Sequence, residues 1–163
     1  MALFKFGRKE SGAPVIGSET LVPFLNGFSI EVMPRTAEKV DDFTALLPAG
    51  TRVYIAHIDG TPIDEMVATA ARLRREGFEP MPHFPARIIK DKATLTEWVT
   101  RYKAEADVKQ GLLLAGGVDK PQGDFHSSMQ LLESGAFDGF ERLHVAGHPE
   151  GNKDIDPDGS DKN

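Results

Sequence analysis

Residues 28–36 read Phe28-Ser29-Ile30-Glu31-Val32-Met33-Pro34-Arg35-Thr36. The apolar and β-branched residues predict a strand over 28–33, and Pro34 stops it because it brings no amide donor to a ladder. Thr36 then has the side chain to cap a helix, predicted to run to Leu47 with Ala37 and Glu38 in its first turn. A strand followed directly by a helix is the opening of a β/α unit. A doubly wound nucleotide-binding sheet usually carries a glycine fingerprint at this first junction. Here the junction contains no glycine, which favours the other arrangement of alternating strands and helices, the (β/α)₈ barrel.

Working outward, the same alternation repeats. Arg52–His57 reads as a second strand, and Thr61 and Pro62 open a second helix that ends near Glu76 at Gly77. Phe78–Pro82 is a proline-interrupted third strand leading into His83, and Asp91 opens a helix through Ala106. Gly111–Ala115 is wholly apolar, the pattern of a strand buried on both faces. A helix is predicted over His126–Ser134 and a fifth strand over Arg142–Ala146. Strands start near 28, 52, 78, 111 and 142, one unit per 24–33 residues. The expected fold is therefore α/β with a parallel sheet of TIM-barrel type, supplying about five of the eight units that close a barrel. Such a chain is either a fragment of a longer protein or a structure that association completes. Residues 1–20 lack periodicity and read as a mobile arm carrying Leu3, Phe4 and Phe6, residues 21–152 as the barrel domain, and 153–163 as an acidic polar tail.

Composition narrows the function classes. The net charge is −6, opposite to the basic patch of a nucleic-acid binder. The densest basic cluster, Arg72 to Arg75, falls on a helix and reads as a solvated face. No stretch approaches a membrane span of about 18 apolar residues, and the charges of Lys5, Arg8 and Lys9 interrupt any secretory leader, so a cytoplasmic protein is expected. There is no cysteine, which excludes disulfides, thiolate metal ligation and a cysteine nucleophile.

In a barrel the chemistry sits at the carboxyl ends of the strands. By that rule the candidates are Glu31 and Arg35, His57 and Asp59, His83, then Gly116, Gly117 and Asp119, and finally His148 and Glu150. Glu31 is the most informative. It lies inside an apolar strand, where a carboxylate belongs either to a solvated face or to a barrel mouth. Burial of a carboxyl favours its protonated form and suits it to general-acid work near neutral pH.

These segments resemble the methylenetetrahydrofolate reductase family. Ser29 to Thr36 is similar to that family's opening Ser-Phe-Glu-Phe-Phe-Pro-Pro-Lys/Arg-Thr, and Pro82-His83 to its Pro-His segment after the third strand. Leu113 to Gly117 stands where the family has Leu-Arg-Gly-Asp, and Ala146 to Asn152 resembles Gly-Tyr-Pro-Glu-Gly-His. The matches fall in order over residues 28–152. The resemblance implies a barrel that binds FAD non-covalently and passes a hydride from NAD(P)H to methylenetetrahydrofolate. It implies Glu31 as the general acid that assists opening of the folate ring. It sets His83, Gly116, Gly117, His126, Ser127, His148 and Asn152 along the flavin, with Glu31 and Asp119 toward the folate. It also implies a small-molecule partner, with no nucleic acid or membrane, and open strand edges point to a homo-oligomer.

Departures from the family pattern bear on the grip of the cofactor. The Arg and Asp that flank the family's glycine are Ala115 and Gly117 here, and Asp119 is the nearest replacement carboxylate. His148 replaces a tyrosine, and Asn152 a histidine. They support a rival reading: a non-catalytic folate- or ligand-binding relative, or a subunit completed by a partner chain. A barrel fragment of unrelated enzymology is the third. Other constellations read blandly. Asp154 to Asp161 resembles half a calcium loop, but Pro157 interrupts it and no twelfth-position Glu follows. The five histidines lack helical ligand spacing. His144 reads as a core histidine, Trp98 as a packing stripe with Leu95 and Tyr102, and no serine sits in a nucleophile elbow.

Overall fold

The structure is a computed structural model that describes residues 18–147. The expectations for Leu3, Phe4, Phe6, His148, Glu150, Asn152 and the 154–161 loop lie outside the described residues. Five strands form one parallel sheet: β1 (Ser29–Val32), β2 (Arg52–Ile55), β3 (Glu79–Pro85), β4 (Gln110–Leu114) and β5 (Arg142–Val145). Helices α1 (Ser18–Phe24), α2 (Pro34–Ala37), α3 (Ile63–Arg75), α4 (Lys92–Ala106) and α5 (Ser128–Glu133) lie between and before them. The spatial order is β1-β2-β3-β4-β5 with every neighbouring pair parallel. Among the described residues the order never reverses, so these five strands form no switch point of the doubly wound kind. No described helix is long and apolar enough to cross a membrane.

Alternation sorts the strand residues onto two faces. Val53, Ile55, Phe84 and Leu113 are fully buried beneath the helices. α3 packs on β2 and β3 and lies beside α2 and α4, so these helices share one face. Phe84 is the hub of the core, with the rings of Tyr102 and Phe137 at 5.4 and 5.0 Å. The opposite face carries Glu31, Tyr54, His83 and His144. There the Tyr54 hydroxyl meets His144 Nδ1 at 2.9 Å. These residues stand on β2 and β5, about 14 Å apart in a flat sheet at the usual strand spacing, so the sheet is curled with this face inside.

β3 shows how a central strand accommodates Pro80 and Pro82. Glu79 donates its amide to Thr51 of the β2 side, so the alternate positions 80 and 82 turn their nitrogens toward β4. The prolines have no donor to offer there, and the pairing with β4 begins only at His83. The strand therefore runs on to Pro85 rather than stopping at Pro82 as expected, and His83 lies within it.

Several sequence expectations are corrected. The helix expected from Thr36 to Leu47 is only the single turn Pro34–Ala37. Thr36 does not cap it but sits one turn inside, its Oγ1 accepting from the Met33 amide at 2.9 Å. Beyond Ala37 the Asp42 carboxylate accepts from the Thr44 amide and hydroxyl, at 2.8 and 2.6 Å, a local bond that competes with helix. The arm expected through residue 20 gives way at Ser18 to α1. Pro62 takes the cap position of α3 that Thr61 was expected to hold. β4 is not buried on both faces: Leu112 and Leu114 are half-buried, because no described helix covers the inner face. α5 starts at Ser128, two residues later than expected, because the Gln130 side chain accepts from the amides of His126 and Ser127.

Candidate functional site

Four strand ends converge on a pocket of about 390 Å³. β1 supplies Glu31, the turn after β2 supplies His57 and Asp59, β3 supplies His83, and the chain leaving β4 supplies Gly116 and Gly117. Apolar walls come from Ile58, Pro85, Ile88, Leu114 and Val118. Concave, mostly apolar pockets with a few converging polar groups are the usual form of small-molecule sites.

Glu31 reaches the pocket through strand alternation. Ile30 packs against the core, so Glu31 turns to the inner face, in register with Tyr54. Its side chain is 58% exposed, not buried. Its Oε2 lies 3.2 Å from His83 Nε2, whose side chain is 9% exposed. That separation is within ion-pair range but off the line of a directed hydrogen bond. Burial holds the His83 imidazole below its ordinary range, and the Glu31 charge partly opposes this.

His57 is also buried. Its Nε2 meets the Thr61 carbonyl at 3.0 Å; a carbonyl only accepts, so the proton resides on Nε2 and Nδ1 carries a lone pair. Nδ1 is buried with no hydrogen-bond partner. The ring lies on Trp98, centroids 4.8 Å apart, so the packing stripe read from Trp98 extends to a histidine. Burial and the neighbouring His83 lower the His57 pKa, while the bond to Thr61 and the Asp59 charge raise it less.

Gly116 has φ +95°, and a Cβ there would come 3.1 Å from Pro85 Cβ. Gly117 faces open space. The two residues leave bare backbone along one pocket wall. Of the residues singled out from the sequence, the pocket gathers Glu31, His57, Asp59, His83, Gly116 and Gly117. Asp119 is exposed and does not line it; His126, also exposed, and Ser127 lie at the start of α5, outside it. His144, read as a core histidine, is half-buried on the inner face, where Tyr54 bonds it. No protein-family model matches the chain. Among the described residues no group of three His, Asp or Glu side chains is placed to hold a metal ion.

Arg87 is the residue that sequence reasoning passed over. It is 8% exposed, in the single 3-10 turn Ala86–Ile88 after β3. Its guanidinium donates to the carbonyls of His126 at 3.2 Å and Val118 at 3.4 Å. Its own carbonyl accepts from the Gln122 amide at 2.8 Å. A charged residue inside the apolar run from Phe84 to Ile89 is the signal that marks it.

Proposed function

We propose that this chain folds as strand–helix units of a (β/α)₈ barrel and is a flavin-dependent reductase of the methylenetetrahydrofolate type, in whole or in part, acting in the cytoplasm. Sequential strand order, one shared helix face and a curled inner face support the barrel. The observation that carries the function is the pairing of Glu31 with His83 at 3.2 Å, in the pocket that Gly116 and Gly117 also line. These are residues that the family resemblance sets beside flavin and folate.

The pocket suits a flat heteroaromatic ring: its volume falls within the usual 300–1,000 Å³ of small-molecule sites, and the bare backbone of Gly116 and Gly117 admits close approach. No Lys or Arg side chain lines it, so the fit is to the ring rather than to a diphosphate. When bound, FAD would relay a hydride from NAD(P)H to the folate. Within that reaction Gly116 and Gly117 would bound the ring, and Ile58, Ile88 and Leu114 would exclude water. Glu31 would deliver a proton to the folate nitrogen as the five-membered ring opens, and the carboxylate left behind, 58% exposed, would regain a proton from water, with the buried His83 beside it at 3.2 Å.

The rival is a ligand-binding relative without turnover. The 58% exposure of Glu31 favours it, because proton transfer to a reacting group works best in a site closed to water. Both are tested by the visible spectrum of the purified chain after addition of FAD and removal of excess. A retained flavin band that bleaches with NAD(P)H and returns with methylenetetrahydrofolate is the reductase outcome. Flavin that is retained but never bleaches supports the rival, and a chain that retains none overturns the flavin reading. In the reductase, Glu31→Gln is expected to spare bleaching and slow the folate step by about 10²–10⁴-fold, the usual contribution of a general acid. Folate reduction at the parent rate removes Glu31 from that role.

A further inference from the structure

Two loops face each other across the pocket. The turn after β2 contributes Ile58 and Asp59, and the segment after β4 contributes Gly116, Gly117 and Val118. A single side-chain bond joins the loops: Gln122 Nε2 donates to Asp59 Oδ1 at 2.8 Å, across 63 residues of sequence. Both partners are exposed, so the bond contributes little to folding and its position is the notable fact. The strand between these two loops in the sheet is β3, which lines the pocket with His83 and Pro85.

The two sides are held unequally. The β4 side is anchored from below: Arg87 binds the Val118 and His126 carbonyls, its carbonyl takes the Gln122 amide, and the Lys90 carbonyl takes the Asp124 amide at 3.0 Å. Gly123 lies so close to Lys90 that a Cβ would sit 1.9 Å from its carbonyl oxygen. The β2 side is a short turn closed by Thr61 N to Ile58 O at 2.9 Å, with Gly60 at φ +82° at its tip; its anchor to the body is the bond from the buried His57 Nε2 to the Thr61 carbonyl, after the turn.

We propose that Asp59 and Gln122 form a clasp that gates the pocket, the Asp59–Gly60 turn being the moving jaw and the Arg87-anchored loop the fixed one. Opening breaks one exposed hydrogen bond to a carboxylate and leaves the core untouched. The inference rests on the pocket's geometry and not on the identity of its ligand.

The chain has no native cysteine, so a thiol placed in the pocket is a clean reporter. Ala56 is 6% exposed and lines the pocket. In an Ala56→Cys background, the rate of labelling by a small thiol reagent under native conditions measures how often the pocket opens. Adding Gln122→Ala is expected to raise that rate about fivefold, the scale of one such bond. Gln122→Glu, which sets two carboxylates together, should raise it at least as much. The urea midpoint should hold in both. Val118→Cys, on the opposite wall, is the second reporter should the first perturb folding. Labelling at the parent rate in both variants overturns the clasp. So does faster labelling that tracks a fall in the urea midpoint, since the pocket would then open by unfolding. Neither reporter requires flavin, so failure to bind FAD leaves this test intact.

Discussion

His57 and His83 are two buried imidazoles whose charged forms the fold disfavours. Burial is the leading cause for each, and each lies below the ordinary value of 6.5. The unfolded chain therefore takes up protons before the folded one does as pH falls. Stability from the neutral rings is complete above 6.5 and is lost progressively below it, until the folded pKa values are reached. The carboxylates of Asp42, Asp91 and Glu105 are shifted down as well, but their contribution persists until pH falls below the ordinary carboxylate range. The interval just below 6.5 thus belongs to the histidines. The urea midpoint is expected to fall between about pH 7.5 and pH 5.5, each histidine contributing at most about 1.4 kcal/mol per pH unit. His57→Phe, which keeps a ring against Trp98, should flatten that slope. An unchanged slope in the variant would mean that His57 takes up its proton as readily in the folded chain as in the unfolded one.

At the scale of elements, the connection from α2 to β2 depends on a side chain from another helix. Arg72 of α3 donates to the carbonyls of Ala37, Val40 and Asp41, ion-pairs with Glu76 at 2.7 Å and lies over the Phe43 ring at 5.1 Å. The planar guanidinium satisfies carbonyls that a longer α2 would have satisfied itself. Arg72→Leu is expected to cost about 1–3 kcal/mol in urea unfolding, because those acceptors lose their donor. Arg72→Lys should recover only part of this, since an ammonium lacks the fork. A cost below the experimental error for Arg72→Leu would show that water serves the carbonyls equally well. The same segment marks what the sequence can convey. Asp91 was legible as a cap because its bond is local, Oδ1 accepting from the Thr94 amide three residues on, at 2.8 Å. Arg72 looked like a solvated charge because its partners lie 31–35 residues away. The site divides in the same way. Glu31 and His83 lie within strands on the inner face, where alternation reveals them, and Gly116 and Gly117 follow the end of β4, where the chain break reveals them. Arg87 and Gln122 act through the pairing of distant loops, which no local pattern reports.

At the scale of the whole fold, the described residues form a sheet with two free edges. Among the described residues β1 and β5 each have one neighbour, so each offers unpaired backbone along its outer edge. The β5 edge begins at the exposed Arg142, but its other end, from Leu143 to Val145, which is 55% exposed, carries no Asp, Glu, Lys or Arg side chain. Edges of this kind pair with other chains unless a charge, a bulge or a cover prevents it. The apolar side chains of Val22 and Phe24 on α1, 70% and 82% exposed, add a second adhesive surface. Concentration-dependent self-association is therefore expected in sedimentation velocity. The two surfaces separate by substitution: Val145→Lys should weaken association if strand pairing drives it, and Val22→Ser with Phe24→Ser should weaken it if the helix does. A parent chain that sediments as a monomer at every concentration would mean that both surfaces are covered within the chain itself, and would remove the open-edged sheet as a driver of assembly.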